Sequence, residues 1–155
     1  MGKPERGNGM TLQEFLRQLQ LFRDLTDREI NLLVPICKVV QGQAGNRIIK
    51  EGDPVHTIYF LLSGQASVMK GTSMIGTVIR GTIVGELSLY DNTTASVTIQ
   101  ALDPFKALAI KSAEFNRVME ENQTLGYKVF RKLARNTSFR LKAVSGELAE
   151  YIAAP

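Results

Sequence analysis

The sequence predicts a mainly β chain with flanking helices: an antiparallel, jelly-roll-like β-roll followed by a short helix and a long C-terminal helix. Three features carry that expectation. Apolar residues recur at helical spacing up to Pro35; between Lys38 and Lys111 they give way to short β-branched runs punctuated by glycine; and helical spacing returns at Ser112. The 155 residues suit one domain, since a chain of this size buries roughly 70% of its unfolded surface in a single core. That domain is expected over 11–155, with helices over 11–35, the roll over 38–111 and the C-terminal helices over 112–153. Residues 1–10, rich in glycine and charge, are expected to form a disordered tail.

Leu12, Phe15, Leu16, Leu19 and Phe22 form one apolar stripe and predict a first amphipathic helix through Phe22. Asp24 and Thr26 are turn or cap candidates. Thr26 followed by Asp27 and Glu29 reads as an N-cap with acid in the first turn, opening a second short helix through Ile30, Leu32 and Leu33 that Pro35 closes.

Strands are expected over 38–43, 47–50, 57–62, 65–70, 74–80, 97–101 and 105–111, spaced as in sandwiches and barrels. Ser63-Gly64 lies between two of them, where glycine accepts the positive φ of a tight hairpin. The density of further glycines at Gly42, Gly45, Gly52, Gly71, Gly76 and Gly81 suits a rolled sheet with many corners.

Ser112 is a candidate N-cap for a helix running to about Glu121, and a much longer helix begins near Thr124. On it, Tyr127, Ala134, Leu141 and Leu148 share one heptad position, and Phe130, Thr137, Val144 and Tyr151 the other. Such a seam either packs back on the roll or pairs with a second copy. A helix this long extends past a small barrel at 1.5 Å per residue, so a homodimer is expected. Lys128, Arg131, Lys132 and Arg135 form a basic cluster on the same helix, expected to be a solvated face or a partner contact.

The formal net charge of +4 is compatible with a polyanion partner but is spread along the chain. The single cysteine, Cys37, lies in an apolar stretch and reads as a buried thiol, which fits a reducing cytoplasm. No run of about 20 apolar residues predicts a membrane span, and the N-terminus lacks the apolar region of a secretory signal. His56, the one histidine, lies in an Asp53-Pro54-Val55-His56 turn. With so few ligands no familiar His/Cys/carboxylate metal site can be assembled, and no Ser/His or Cys/His nucleophile pair stands out. No metal, cofactor or catalytic residue is therefore expected, and the chain is read as non-enzymatic.

Three strings carry more. Glu51-Gly52-Asp53 is followed by Ile58-Tyr59-Phe60-Leu61-Leu62-Ser63-Gly64-Gln65-Ala66 and then by Gly81-Thr82-Ile83-Val84-Gly85-Glu86-Leu87-Ser88-Leu89. In this order, between short N-terminal helices and a long C-terminal one, they resemble the cyclic-nucleotide-binding domain family, whose glycine hairpin and phosphate-binding cassette they match. A glycine followed by a short helical turn suits an anion, because backbone N–H groups converge there.

The resemblance implies that a cyclic nucleotide, cAMP or cGMP, or a related anion is held by Val84, Gly85, Glu86, Leu87, Ser88, Thr93, Thr94, Ala95 and Ser96. Glu86 would accept from the ribose 2′-OH, and Thr137 on the long helix would cap the base. Glu86 also reads as a helix N-terminal acid, and Thr137 as a polar layer in a coiled-coil seam.

The second half of the cassette departs from the family. Where relatives carry a phosphate-pairing arginine, the string Tyr90-Asp91-Asn92-Thr93-Thr94-Ala95-Ser96-Val97 places Thr93 and is about two residues short. Asp91 is expected to repel a phosphate, and losing the arginine's charge-assisted bonds weakens binding roughly ten- to a hundredfold. Three readings follow: a regulatory cyclic-nucleotide sensor signalling through its C-terminal helices; a degenerate module that binds an unknown protein partner or itself; and the sensor part of a transcription regulator, since many bacterial relatives add a helix-turn-helix. No DNA-binding domain is expected in the chain itself.

Overall fold

The computed structural model describes residues 9–153. Of the tail expected over 1–10, residues 1–8 lie outside the described residues. Met10 is not tail: it packs against the helical core. The side chains of Val144, Leu148 and Tyr151 also lie outside what is described.

Thr11 opens α1 (Leu12–Gln18) with a reciprocal capping box, its Oγ1 accepting from Glu14 N–H at 3.2 Å while Glu14 Oε2 accepts from Thr11 N–H at 2.7 Å. The helix stops sooner than the stripe predicts, because Leu19 is extended (φ −68°, ψ 127°) and a 3-10 turn follows at Gln20–Phe22. The break has a physical reason. In a continuous helix Leu21 would point away from Leu19, whereas here Leu19, Leu21 and Phe22 are all buried. Thr26 and Glu29 form the second capping box, at the start of α2 (Asp27–Leu33), and Pro35 sits in the 3-10 turn Val34–Ile36 that ends it. Cys37 Sγ donates to the Leu33 carbonyl at 3.2 Å, and burial pushes its thiol up to about 12.

Eight strands follow: β1 (Cys37–Gly42), β2 (Arg47–Ile49), β3 (Thr57–Ser63), β4 (Ala66–Lys70), β5 (Ser73–Val78), β6 (Ile83–Val84), β7 (Thr98–Ala101) and β8 (Phe105–Lys111). They form two antiparallel four-stranded sheets, ordered β1-β8-β3-β6 and β2-β7-β4-β5. Alternation along β3 and β8 serves two cores. Ile58, Phe60, Leu108 and Ile110 face the helices, while Leu61, Phe105 and Ala107 join Ala66, Val78, Ile99 and Ala101 between the sheets. The jelly-roll-like architecture and its flanking helices are as the sequence predicts.

Two local expectations change. Ser63-Gly64 is not a hairpin: β3 pairs with β8 and β6, β4 pairs with β5 and β7, and the chain crosses between sheets here. Gly64 (φ +82°) lies so close to the Pro104 carbonyl that a Cβ would sit 2.6 Å from it, which is why the corner carries glycine. β6 lies outside the expected strands, since two residues are too short to show a period.

Ser112 is the first residue of α3 (Ser112–Glu121), not its cap. Its N–H donates to the His56 carbonyl at 2.9 Å, and its hydroxyl turns inward to Ser88. The long helix α4 (Gln123–Ala153) docks through Leu125, Val129 and Leu133, which are 1%, 0% and 2% exposed. This stripe differs from the expected seam. Among its described side chains Tyr127, Ala134, Thr137 and Leu141 are exposed, and Phe130 turns to the core, 6.1 Å from the Tyr90 ring and 6.3 Å from Phe115. Two members of the basic cluster sit beside that buried stripe. Lys128 Nζ pairs with Glu29 at 2.7 Å and Lys132 Nζ with Asp24 at 2.6 Å, fastening α4 to the N-terminal helices. Two of the four cations expected on a solvated face are thus internal clamps, while Arg131 lies 6.0 Å from the Tyr127 ring centroid.

Candidate functional site

From β6 the chain enters Gly85 (φ +81°) and then the 3-10 turn Glu86–Leu89. Glycine is required twice over. Besides the left-handed φ, an added Cβ would sit 2.6 Å from the Thr57 carbonyl oxygen of β3. Behind it the turn is pinned: Ser88 Oγ lies 2.6 Å from the Gly85 carbonyl and 2.5 Å from Ser112 Oγ, and Asn116 Nδ2 donates to the Leu89 carbonyl at 3.0 Å. The hydroxyl of Ser88 is therefore committed to holding the turn.

The second segment is laced to the loop before β3 through its backbone. Gly52 N–H donates to Ala95 O at 2.8 Å, Ala95 N–H to Asp53 O at 2.8 Å and Val55 N–H to Thr93 O at 3.2 Å. Lys70 Nζ adds a bond to the Ser96 carbonyl at 2.8 Å while pairing with Glu51 at 2.6 Å. The shortened stretch is thus a fixed wall. Asp91 is exposed, and its Oδ1 accepts from the Asn92 N–H at 2.7 Å. It is not among the side chains lining the cavity described next.

These two segments enclose a cavity of about 390 Å³, floored by the inter-sheet core at Val68, Val78 and Ile99. Nine of the ten residues singled out in the sequence line it: Val84, Gly85, Glu86, Leu87, Ser88, Thr93, Thr94, Ala95 and Ser96. Thr137 does not. Its Oγ1 donates to the Leu133 carbonyl one turn back, at 2.9 Å, and Arg140 takes the place on α4 that faces the cavity.

Arg140 is the residue the sequence reading missed. Its Nη1 donates to Glu86 Oε1 at 2.5 Å, the Glu86 side chain 20% exposed and the Arg140 side chain 54%. They are the single carboxylate and the single cation among the described lining residues. The other polar groups on the wall are hydroxyls, including Thr77 and Thr82 from the opposite sheet and its connection. Nearby, burial and then the charge of Glu86 raise the Tyr90 phenol above its usual range. The site offers an apolar floor, a rim of hydroxyls and one opposed charge pair. That combination suits a small, partly apolar, hydroxyl-bearing anion. Among the described residues no three His, Cys, Asp or Glu side chains cluster to hold a metal ion.

A family model described as the cyclic nucleotide-binding domain matches residues 39–122, which takes in the roll, the cassette and α3. The chain belongs to the cyclic nucleotide-binding domain family. Among curated proteins, the cAMP-dependent protein kinase regulatory subunit of Colletotrichum orbiculare is 29% identical over 109 residues, covering 69% of this chain and 28% of that protein. The chain thus spans little more than a quarter of that relative's length. Among solved structures, PKAR CBD2 with Sp-2Cl-cAMPS bound is 27% identical with a TM-score of 0.73, covering 89% of each chain. A cyclic nucleotide-binding domain from Methylobacillus flagellatus KT reaches a TM-score of 0.77 over 93% of this chain and 84% of its own, a likeness of fold at 20% identity. The family is one of regulatory ligand-binding domains.

Proposed function

We propose that this chain is a regulatory sensor whose cavity takes a cyclic nucleotide, cAMP or cGMP, and whose α4 carries the response. One observation carries the reading: the Gly85–Leu89 turn and the laced 93–96 segment form facing walls of a single cavity of about 390 Å³, within the range of small-molecule sites. Glu86 is the acceptor for a ribose hydroxyl, and Val68, Val78 and Ile99 supply the apolar surface for a base. The structure of PKAR CBD2 with a cyclic nucleotide analogue bound supports the ligand class. Response through α4 is supported by its tie to the cassette at Glu86. The mechanism is a population shift, in which the ligand favours one position of α4 by as much as its affinity differs between positions.

The test is calorimetric titration and thermal unfolding with cAMP, cGMP and cyclic dinucleotides. A functional cavity gives stabilisation rising as RT ln(1 + [L]/Kd). No shift at millimolar concentrations of any of them refutes the sensor reading. Thr93, in the place of the family's arginine, supports a second reading, a module that keeps the roll and binds a partner rather than a nucleotide. The same titration decides between the two.

The exposed Tyr127, Ala134 and Leu141 on α4 support pairing with a second copy. No helix among the described residues is long and apolar enough to cross a membrane. The thiol of Cys37, without a disulfide partner, supports a reducing, cytoplasmic setting.

A further inference from the structure

We infer that Arg140 of α4 supplies the cation that grips the phosphate, an assignment that rests on the cyclic-nucleotide reading above. The cassette itself has no cation to offer. Thr93 stands where the family's arginine would be, and the backbone bonds of Thr93 and Ala95 to the 52–55 loop hold that wall in place. Lys70, which reaches this wall at the Ser96 carbonyl, is committed to that carbonyl and to Glu51. Charge balance then singles out Arg140. Without it the lining carries the Glu86 carboxylate alone and repels a phosphate monoanion; with it the two lining charges cancel.

The geometry fits the role. A guanidinium has five N–H donors, and the bond to Glu86 Oε1 leaves others to meet an anion. A phosphate that draws Arg140 also releases Glu86 Oε1 to accept from a sugar hydroxyl, so the two ends of a ribose cyclic phosphate replace one internal ion pair.

The position of Arg140 adds a consequence. The buried stripe of α4 ends at Leu133, and among the described residues the polar contact joining the helix beyond that point to the roll is the Arg140–Glu86 pair. Phosphate binding and movement of the long helix are then one contact. Specificity for the anion and transmission to α4 depend on the same side chain.

The experiment is calorimetric titration of cAMP and cGMP into wild-type protein, Arg140→Gln, Arg140→Lys and the double variant Thr93→Arg/Arg140→Gln. Thermal unfolding without ligand checks that each variant is folded; little change is expected, because the Arg140 side chain is more than half exposed. Arg140→Gln is expected to weaken both nucleotides about ten- to a hundredfold, the equivalent of a lost charge-assisted pair. Arg140→Lys is expected to keep part of the affinity, since the charge remains and the bidentate fork does not. The double variant is expected to recover at least about tenfold, because it returns a cation to the opposite wall. Equal affinity of wild type and Arg140→Gln overturns the assignment and leaves the nucleotide reading standing. Wild-type protein that binds neither nucleotide overturns both.

Discussion

Glu86 and Arg140 are 54 residues apart in the chain and 2.5 Å apart in space, so one ion pair joins the turn after Gly85 to the undocked length of α4. If Glu86 is also the ribose acceptor, it discriminates sugars. Wild-type protein is then expected to bind cAMP about tenfold more tightly than 2′-deoxy-cAMP, the worth of one hydrogen bond to a charged group. Glu86→Ala is expected to erase the preference and weaken cAMP. Paired titrations of the two ligands measure it; a preference that survives Glu86→Ala places the hydroxyl contact elsewhere.

Thr93 faces the same cavity from the opposite wall, with its backbone carbonyl accepting from Val55 N–H at 3.2 Å. Replacing it with arginine leaves that bond in place and adds a second cation. Thr93→Arg in the wild-type background is expected to raise cyclic-nucleotide affinity about tenfold. Unchanged affinity would mean that this position does not look onto the phosphate.

Gly81 and Gly85 flank β6 with nearly the same backbone, φ +85° and +81°, and differ in their surroundings. A Cβ on Gly81 meets nothing within 4 Å, while one on Gly85 meets the Thr57 carbonyl at 2.6 Å. Gly81→Ala is therefore expected to cost only the left-handed backbone penalty of about 1–2 kcal/mol. Gly85→Ala adds an overpacking penalty of about 1–3 kcal/mol and displaces the cassette from β3. Urea unfolding of the two variants gives the comparison. Equal losses would show that the close approach at Gly85 relaxes without cost.

Glu29 joins α2 to α4. Burial pushes its carboxyl up, but the bonds from Lys128 and from the Thr26 backbone and hydroxyl outweigh it, and the net shift is downward from the ordinary 4.5. A folded-state value below the unfolded one gives stability that is complete above the unfolded value and is lost as pH falls through the folded one. The window is therefore below pH about 4.5. Glu29→Gln keeps the capping geometry, because glutamine serves at that position of a capping box, and loses the ion pair. It is expected to cost up to about 1 kcal/mol near neutrality and to flatten the acid limb of stability against pH. Asp24, held low by Lys132, and Glu51, held low by Lys70, keep some slope in the variant. Unfolding curves between pH 7 and 3 test it, and superimposable acid limbs would rule Glu29 out as a contributor.

The parts of this site legible in the sequence are those that are continuous along it. Gly85 to Ser88 and Thr93 to Ser96 each form a local string, and backbone geometry within a few residues decides what each does. Thr77, Thr82 and Val78 reach the same cavity from another part of the roll; alternation marks some of them as inward but does not say which cavity they meet. Gly64 shows the same limit, since its positive φ announces a turn without saying that the next strand joins the other sheet. Arg140 was hidden for a related reason. The heptad pattern centres the face of α4 on Tyr127 and Thr137, but burial of a stripe at four-residue spacing sets the rotation of the docked helix, with Lys128–Glu29 and Lys132–Asp24 beside it. That rotation buries Leu125, Val129 and Leu133 and brings Arg140 rather than Thr137 to the cavity.

The same rotation leaves Tyr127, Ala134 and Leu141 of the expected seam facing outward. α4 runs for 31 residues, about 46 Å at 1.5 Å each, yet its fully buried stripe ends at Leu133. Tyr127 and Leu141 are 67% and 66% exposed, and with Ala134 between them they share one heptad position. A second α4 packed there would cover side chains that the roll does not. Sedimentation at micromolar concentration is expected to find a dimer, and Leu141→Glu, which places a carboxylate on the seam, a monomer. Leu141 lies outside the cavity lining, so monomeric Leu141→Glu is expected to keep the wild-type affinity for a cyclic nucleotide. A wild-type monomer at that concentration would remove the pairing proposal while leaving the ligand-binding one untouched.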